Sequence, residues 1–160
     1  MQLEKLDDMD LKILSIMQGD ARVPISKLAK QVGLSPPSIH ERISKLKERG
    51  IIDGYVTVLD AKKLGKSLTA FIGMTLDRTC CKDDDVINTL KMIPEVQEIH
   101  RIAGEEDLLL KVKTEDTSAL EKMLINEVTR IKGVAKTRTM IALSSPMERT
   151  SINLNKLQKG

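Results

Sequence analysis

Ile25-Ser-Lys-Leu-Ala-Lys-Gln-Val-Gly-Leu-Ser-Pro-Pro-Ser-Ile-His-Glu-Arg-Ile-Ser44 decides how the first third of this chain folds. Ile25, Leu28, Ala29 and Val32 recur at i, i+3, i+4, i+7, the spacing of one apolar helix stripe. Ala29 is small where a second helix would cross close by. Gly33 follows where a left-handed residue ends a helix without a Cβ penalty. Leu34 then returns to the core, and Ser35 suits the N-cap of the next helix. Pro36 takes the first helical position, where a missing N–H costs nothing, and Pro37 falls among donors that are still unpaired. Ile39, Ile43 and Leu46 supply the second stripe, and Lys47, Glu48, Arg49 and Gly50 close the helix with cations near its negative end. Two helices joined in this way form a helix-turn-helix, which lays its second helix into the major groove of duplex DNA.

With Ile39, Ile43 and Leu46 turned inward, the outward half of that helix carries Pro37, Ser38, Glu41, Ser44 and Lys45, flanked by His40 and Arg42 and preceded by Ser35. Short hydroxyls and cations near a helix N-terminus suit base edges and phosphates. These eight positions are the expected DNA contacts, within a motif spanning residues 25–44. The plainer alternative is a solvated helix face. Arg42 has a further one, a brace to a carboxylate inside the domain.

Charge supports the DNA reading once it is divided. Residues 1–60 balance nine Lys and Arg against nine Asp and Glu, whereas residues 25–50 hold six basic against two acidic residues. A neutral domain with a basic stripe fits directed docking better than general polyanion binding.

The flanks complete a winged version of the motif. Asp7 caps a helix running to about Gln18, with Leu6, Met9, Ile13, Leu14 and Met17 as its expected stripe. Residues 50–59 alternate around Asp53-Gly54, a turn dipeptide, and predict a strand hairpin. The domain is thus expected over residues 1–60, with a polar linker at 61–67.

From residue 68 the period changes. Leu68–Leu76 alternates as a half-buried strand, and residues 83–93 read as a helix stopped by Pro94. Residues 96–103 and 108–113 read as strands joined through Gly104-Glu-Glu-Asp107. Asp116 caps a helix with Leu120, Leu124, Val128 and Ile131 inward, ended by Gly133, and residues 134–143 form the last strand. This βαββαβ order predicts a ferredoxin-like antiparallel sheet with both helices on one face, over residues 68–145, followed by a polar C-terminal tail at 146–160. The fold class is α+β. Phe71 and Gly73 on the uncovered face suggest packing against a second copy, a dimer at least. RNA-recognition modules share the topology but stack bases on aromatic side chains, and this chain has one Tyr and one Phe in all.

Other classes are excluded by what accompanies the motifs. With 31% charged residues and no long apolar run, no membrane partner is expected. Residues 1–10 carry four acids and no hydrophobic stretch, so no signal peptide is read and a cytoplasmic location is expected. Cys80 and Cys81 are adjacent, read as free thiols, and with two His show no metal-ligand spacing. Glu105, Glu106 and Asp107 lack a nucleophile, metal triad or phosphate loop, so no catalytic residue and no cofactor is expected.

The run Leu6-Asp-Asp-Met-Asp-Leu-Lys-Ile-Leu14, then Asp20-Ala-Arg22, Val32-Gly-Leu-Ser35, Arg42-Ile43, Gly50-Ile-Ile52 and Leu64-Gly65, resembles the Lrp/AsnC family of leucine-responsive, or feast/famine, transcription regulators. Pro94-Glu-Val96, His100-Arg-Ile-Ala-Gly104, Asp107, Gly133-Val134 and Thr137-Arg-Thr139 extend the resemblance over nearly the whole chain. It implies a sequence-specific regulator that dimerises through its second domain and assembles into tetramers, octamers or larger rings around which DNA can wrap. It also implies a small effector, usually an amino acid, bound between neighbouring dimers. By position the matching residues are Ala103, Gly104 and Asp107, with Thr137, Arg138 and Thr139 on the last strand. Backbone N–H groups of a glycine turn can hold an α-carboxylate, and a carboxylate at Asp107 can pair with an α-ammonium. Leu108 stands where the family often has an aromatic residue. The alternative function is an architectural DNA-wrapping protein without effector response, which would bind with a steep salt slope and no site preference.

Overall fold

The structure, a computed structural model, describes residues 6–77, 79–80 and 82–154. Packing divides the chain into two units: Met1–Val58 with Glu148–Gly160, and Leu59–Met147.

In the first unit three helices, α1 (Asp8–Gly19), α2 (Ile25–Val32) and α3 (Pro36–Glu48), enclose one core. Each begins and ends for a local reason. Asp7 caps α1 by accepting from the Asp10 N–H, and Asp10 returns a bond to the Asp7 N–H, a reciprocal capping box. Gly33, at φ 89°, ends α2, and the Gly33 and Leu34 N–H groups both donate to the Ala29 carbonyl. Ser35 accepts from the Ser38 N–H at 3.3 Å, and the two prolines occupy the first positions of α3. The stripes expected on α2 and α3 are the buried ones: Leu28, Ala29 and Val32 face Ile39, Ile43 and Leu46.

On α1 the expectation needs correction. Met9 is exposed and Leu11 is buried instead. The cause is Asp10, which the capping box and Arg42 draw onto the inward side, together with Ile13 and Leu14.

The wing also differs. No strand forms over residues 51–60, and Val56 and Val58 are each 84% exposed. A hairpin needs a strand on both sides of its turn. Here the Ile51 and Ile52 N–H groups both return to the Leu46 carbonyl and their side chains pack on the helical core, so the first strand has no residues left. The last described residues belong to this unit too. Gln18 and Ile152 exchange two hydrogen bonds, at 2.6 and 3.1 Å, and Leu154 packs against the helices.

The second unit opens with a hydrogen-bonded turn over residues 61–65 closed by Gly65 at φ 82°. It continues as β1 (Leu68–Leu76), α4 (Asp83–Leu90), β2 (Val96–Arg101), β3 (Leu108–Thr114), α5 (Thr117–Met123) and β4 (Val134–Ile141). The sheet order is β2-β3-β1-β4 with every pair antiparallel, the βαββαβ arrangement read from the sequence. Ala70, Ile72, Met74 and Leu76 of β1 and Leu108, Leu110 and Val112 of β3 point to one face, where Val86, Leu90, Leu120, Met123 and Val128 close the core. Both helices stop short of the residues expected to end them. Beyond Met123 the chain makes one wider π turn, Leu124–Val128, before Gly133 at φ 99° starts β4. Cys80 is exposed and its Sγ donates to the Asp77 carbonyl, while Cys81 lies outside the described residues.

Candidate functional site

The expected residues fall into two groups, one in each unit. In the first, α3 turns Pro37, His40, Glu41 and Lys45 to solvent, with Ser38 and Ser44 half-buried beside them. Ser35 and Ser38 are tied to each other, hydroxyl to hydroxyl at 2.8 Å, which holds the start of the helix. Lys45 Nζ donates to Glu41 Oε1 at 2.6 Å, one turn apart, on side chains that are both about two-thirds exposed. That bond holds the Glu41 carboxyl below its ordinary range. Lys47 lies over the Tyr55 ring at 4.8 Å, a cation–π contact that pins the segment after α3.

Arg42 stands apart from this surface. Its Nη1 donates to Asp7 at 2.6 Å and to Asp10 at 2.7 Å, which makes it the brace that the sequence offered as its alternative role. Both bonds raise the guanidinium further above its usual range. Burial by itself would raise the Asp7 carboxyl, but the Asp10 N–H and the Arg42 guanidinium outweigh it and hold it low. Neither aspartate was picked out with Arg42 in the sequence, because a pair 32 to 35 positions apart leaves no periodic trace.

In the second unit the loop between β2 and β3 meets the last strand across β1. The Ile102 N–H donates to the Asp107 carbonyl, and the Asp107 N–H donates to the Met74 carbonyl at 2.8 Å. Asp107 Oδ2 accepts from the Leu76 N–H, also at 2.8 Å, so its carboxylate secures the end of β1 just where the pairing with β4 shifts register. Thr137 pairs with Met74 from the other side and Arg138 pairs with Gly73. Ala103 and Gly104 are exposed at the loop's tip. Gly104 has an ordinary negative-side φ, and a Cβ there would meet nothing within 4 Å. Turn geometry therefore does not account for glycine at this position.

The residue that joins loop to strand is Glu106, which the sequence offered only as one of three carboxylates without catalytic companions. Its Oε1 lies 2.7 Å from Arg138 Nη2. The carboxylate reaches Arg138 by lying over Gly73, where a Cβ would come within 3.0 Å of it. Gly73, Thr75, Glu105, Glu106, Lys136 and Arg138 enclose a small polar cavity of about 100 Å³ there. A wider open groove of about 890 Å³, lined by Lys82, Asp85, Glu127 and Arg130 among others, holds none of the expected effector residues. Among the described residues no group of three His, Cys, Asp or Glu could hold a metal ion, and no helix is long and apolar enough to cross a membrane.

A helix-turn-helix with an exposed hydroxyl and cation face, joined to a βαββαβ unit with a polar loop over its sheet, defines the class of two-domain DNA-binding regulators. Comparison with known proteins narrows this. Residues 6–47 match the AsnC-type helix-turn-helix domain and residues 69–152 the Lrp/AsnC ligand binding domain. The HTH-type transcriptional regulator FL11 of Pyrococcus horikoshii is 35% identical over 92% of this chain and 95% of its own. The leucine-responsive regulatory protein of Escherichia coli is 37% identical over 86% of this chain and 85% of its own. A transcriptional regulator of Neisseria meningitidis, solved with L-methionine, superposes with a TM-score of 0.90 at 28% identity, over 96% of this chain and 99% of that one. The chain belongs to the Lrp/AsnC family, and it is a DNA-binding transcription regulator of that type.

Proposed function

We propose that this regulator binds a small amino acid at the β2–β3 loop and that the ligand changes its assembly and thereby its hold on DNA. The observation that supports the reading is that Asp107 and Glu106 of this loop meet Thr137 and Arg138 of the last strand around Gly73 and Met74 of β1, on the loop that also carries Ala103 and Gly104. Backbone N–H groups around Gly104 suit a carboxylate, and Asp107 or Glu106 suits an ammonium. The Neisseria regulator solved with L-methionine supports an amino acid over other small molecules.

On the DNA side, Ser35, Pro37, Ser38, His40, Glu41, Ser44 and Lys45 form the contact surface, with Arg42 holding α3 in position for it. The protein acts in the cytoplasm as a homo-oligomer, a dimer that assembles further into tetramers or octamers. Met140 and Ile141 at the end of the edge strand β4, and Leu143 just beyond it, stay exposed, apolar surface that a second copy would cover.

The test is a thermal-midpoint screen of the full chain against the twenty amino acids, followed by light scattering with each hit. A ligand raises the midpoint by mass action, and the same ligand should change the assembly size. If no amino acid moves either quantity, the effector reading fails.

A further inference from the structure

Glu41 is the one acid between Ser35 and Lys47, and it sits at the centre of the exposed face of α3. A carboxylate on a surface meant for a polyanion is repelled by phosphates. In the groove it is attracted only by hydrogen-bond donors, and those on the base edges are the amino groups of cytosine and adenine. Adenine places the N7 acceptor beside its amino group, so a carboxylate, which has no donor, is repelled by one atom while it is attracted by the other. Cytosine has no such neighbour on its own ring. On the paired guanine the adjacent atoms, O6 and N7, are both acceptors, and they call for a cation.

The structure provides that combination. Lys45 Nζ lies 2.6 Å from Glu41 Oε1, so one helical turn offers an acceptor and a donor side by side. Arg42, the other cation next to Glu41, is committed to Asp7 and Asp10 at the start of α1. We infer that the Glu41–Lys45 pair reads a C·G step in the operator, Glu41 accepting from cytosine N4 and Lys45 donating to guanine O6 and N7. In the free protein the two side chains satisfy each other. On DNA each exchanges its partner for a base edge of matching chemistry. This rests on the reading that α3 enters the major groove, and it goes further by naming the base.

The experiment is binding-site selection from a random duplex library with the full-length wild type, E41Q and E41A, each checked for an unchanged thermal midpoint. The wild type should enrich a motif with cytosine at one position of each half-site. Replacing that cytosine should weaken wild-type binding by ~10-fold, the scale of a lost base contact. E41Q should move the preference at that position to adenine, since an amide can both accept from N6 and donate to N7. E41A should bind all four bases there with nearly equal affinity. A wild-type motif that E41Q and E41A reproduce unchanged overturns the assignment and leaves the groove reading intact. Uniformly weaker binding of the variants, with cytosine still preferred, overturns it too. A wild type that enriches no motif at all removes the groove reading and the assignment together.

Discussion

Arg42 Nη1 stands 2.7 Å from Oδ1 of Asp10, a carboxylate almost wholly withdrawn from solvent on the inward side of α1. An acid in that position is tolerable only because a cation from α3 and the capping box meet it; a buried charge left unpaired costs several kcal/mol. The pair therefore sets how the recognition helix lies on α1. Arg42→Ala should destabilise the first unit by about 1–3 kcal/mol, the range for a charged hydrogen bond lost from a partly buried group. DNA binding should weaken as a consequence of helix position, evenly across sequences. Denaturation together with binding-site selection checks this, and a variant of unchanged stability with altered base preference would make Arg42 a base reader instead.

The same network predicts how stability depends on pH. The Asp7 carboxyl is held below its ordinary value in the folded chain. A depressed carboxyl contributes fully above the unfolded value, about 3.9, and its contribution is lost as pH falls through the lower folded value. The first unit should therefore lose stability in acid below roughly pH 4. Asp7→Asn should flatten that part of the profile while lowering stability at neutral pH. Melting curves across an acid series measure both, and parallel profiles for the variant and the wild type would contradict the assignment.

Lys45 offers a contrast with Arg42, because it is well exposed and pairs with Glu41, one turn away on the same helix. Exposed pairs of this kind add little to folding. Lys45→Ala should leave the thermal midpoint in place, while operator binding weakens and the preference for guanine at the contacted pair is lost; a lysine on a phosphate would instead weaken binding evenly across sequences and lower the log–log salt slope by roughly one. Titrations at several salt concentrations decide it.

The parts of the fold that were legible in the sequence are those set by near neighbours. Ser35, Pro36 and Pro37 announce the start of α3, Gly33 the end of α2, and the buried stripes of both follow from spacing alone. The wing was misread because Asp53-Gly54 satisfies a local turn preference, while the competing claim on Ile51 and Ile52 comes from Leu46 and the helical core. Glu106 was underrated for a similar reason. Its partner Arg138 lies far along the chain, and its path depends on a missing side chain at Gly73.

That path yields its own prediction. In Gly73→Ala the new methyl would press on the Glu106 side chain at 3.0 Å. The carboxylate is the end of a flexible side chain, so it should move aside at small cost and lose Arg138. The thermal midpoint should change little, whereas the response to an amino-acid ligand should fall if the loop and β4 act together. Calorimetric titration of the variant with a ligand from the midpoint screen is the check, and full-strength binding would show that the Glu106–Arg138 contact is not needed.

Asp107 needs two variants, because its carboxylate has two tasks. It accepts from the Leu76 N–H, a structural bond, and it is the residue offered to a ligand's ammonium. Asp107→Ala removes both and leaves a half-buried N–H without that acceptor, at a cost of about 1–3 kcal/mol, so a loss of response there proves nothing about the ligand. Asp107→Asn keeps an oxygen for Leu76 while removing the charge. Its stability should stay close to that of the wild type, and its affinity for the amino acid should fall by ten-fold or so, the scale of about 1.4 kcal/mol for a lost charge-assisted bond. If Asn binds as tightly as Asp, the ammonium lies elsewhere, with Glu106 the next carboxylate to test by the same exchange to Gln.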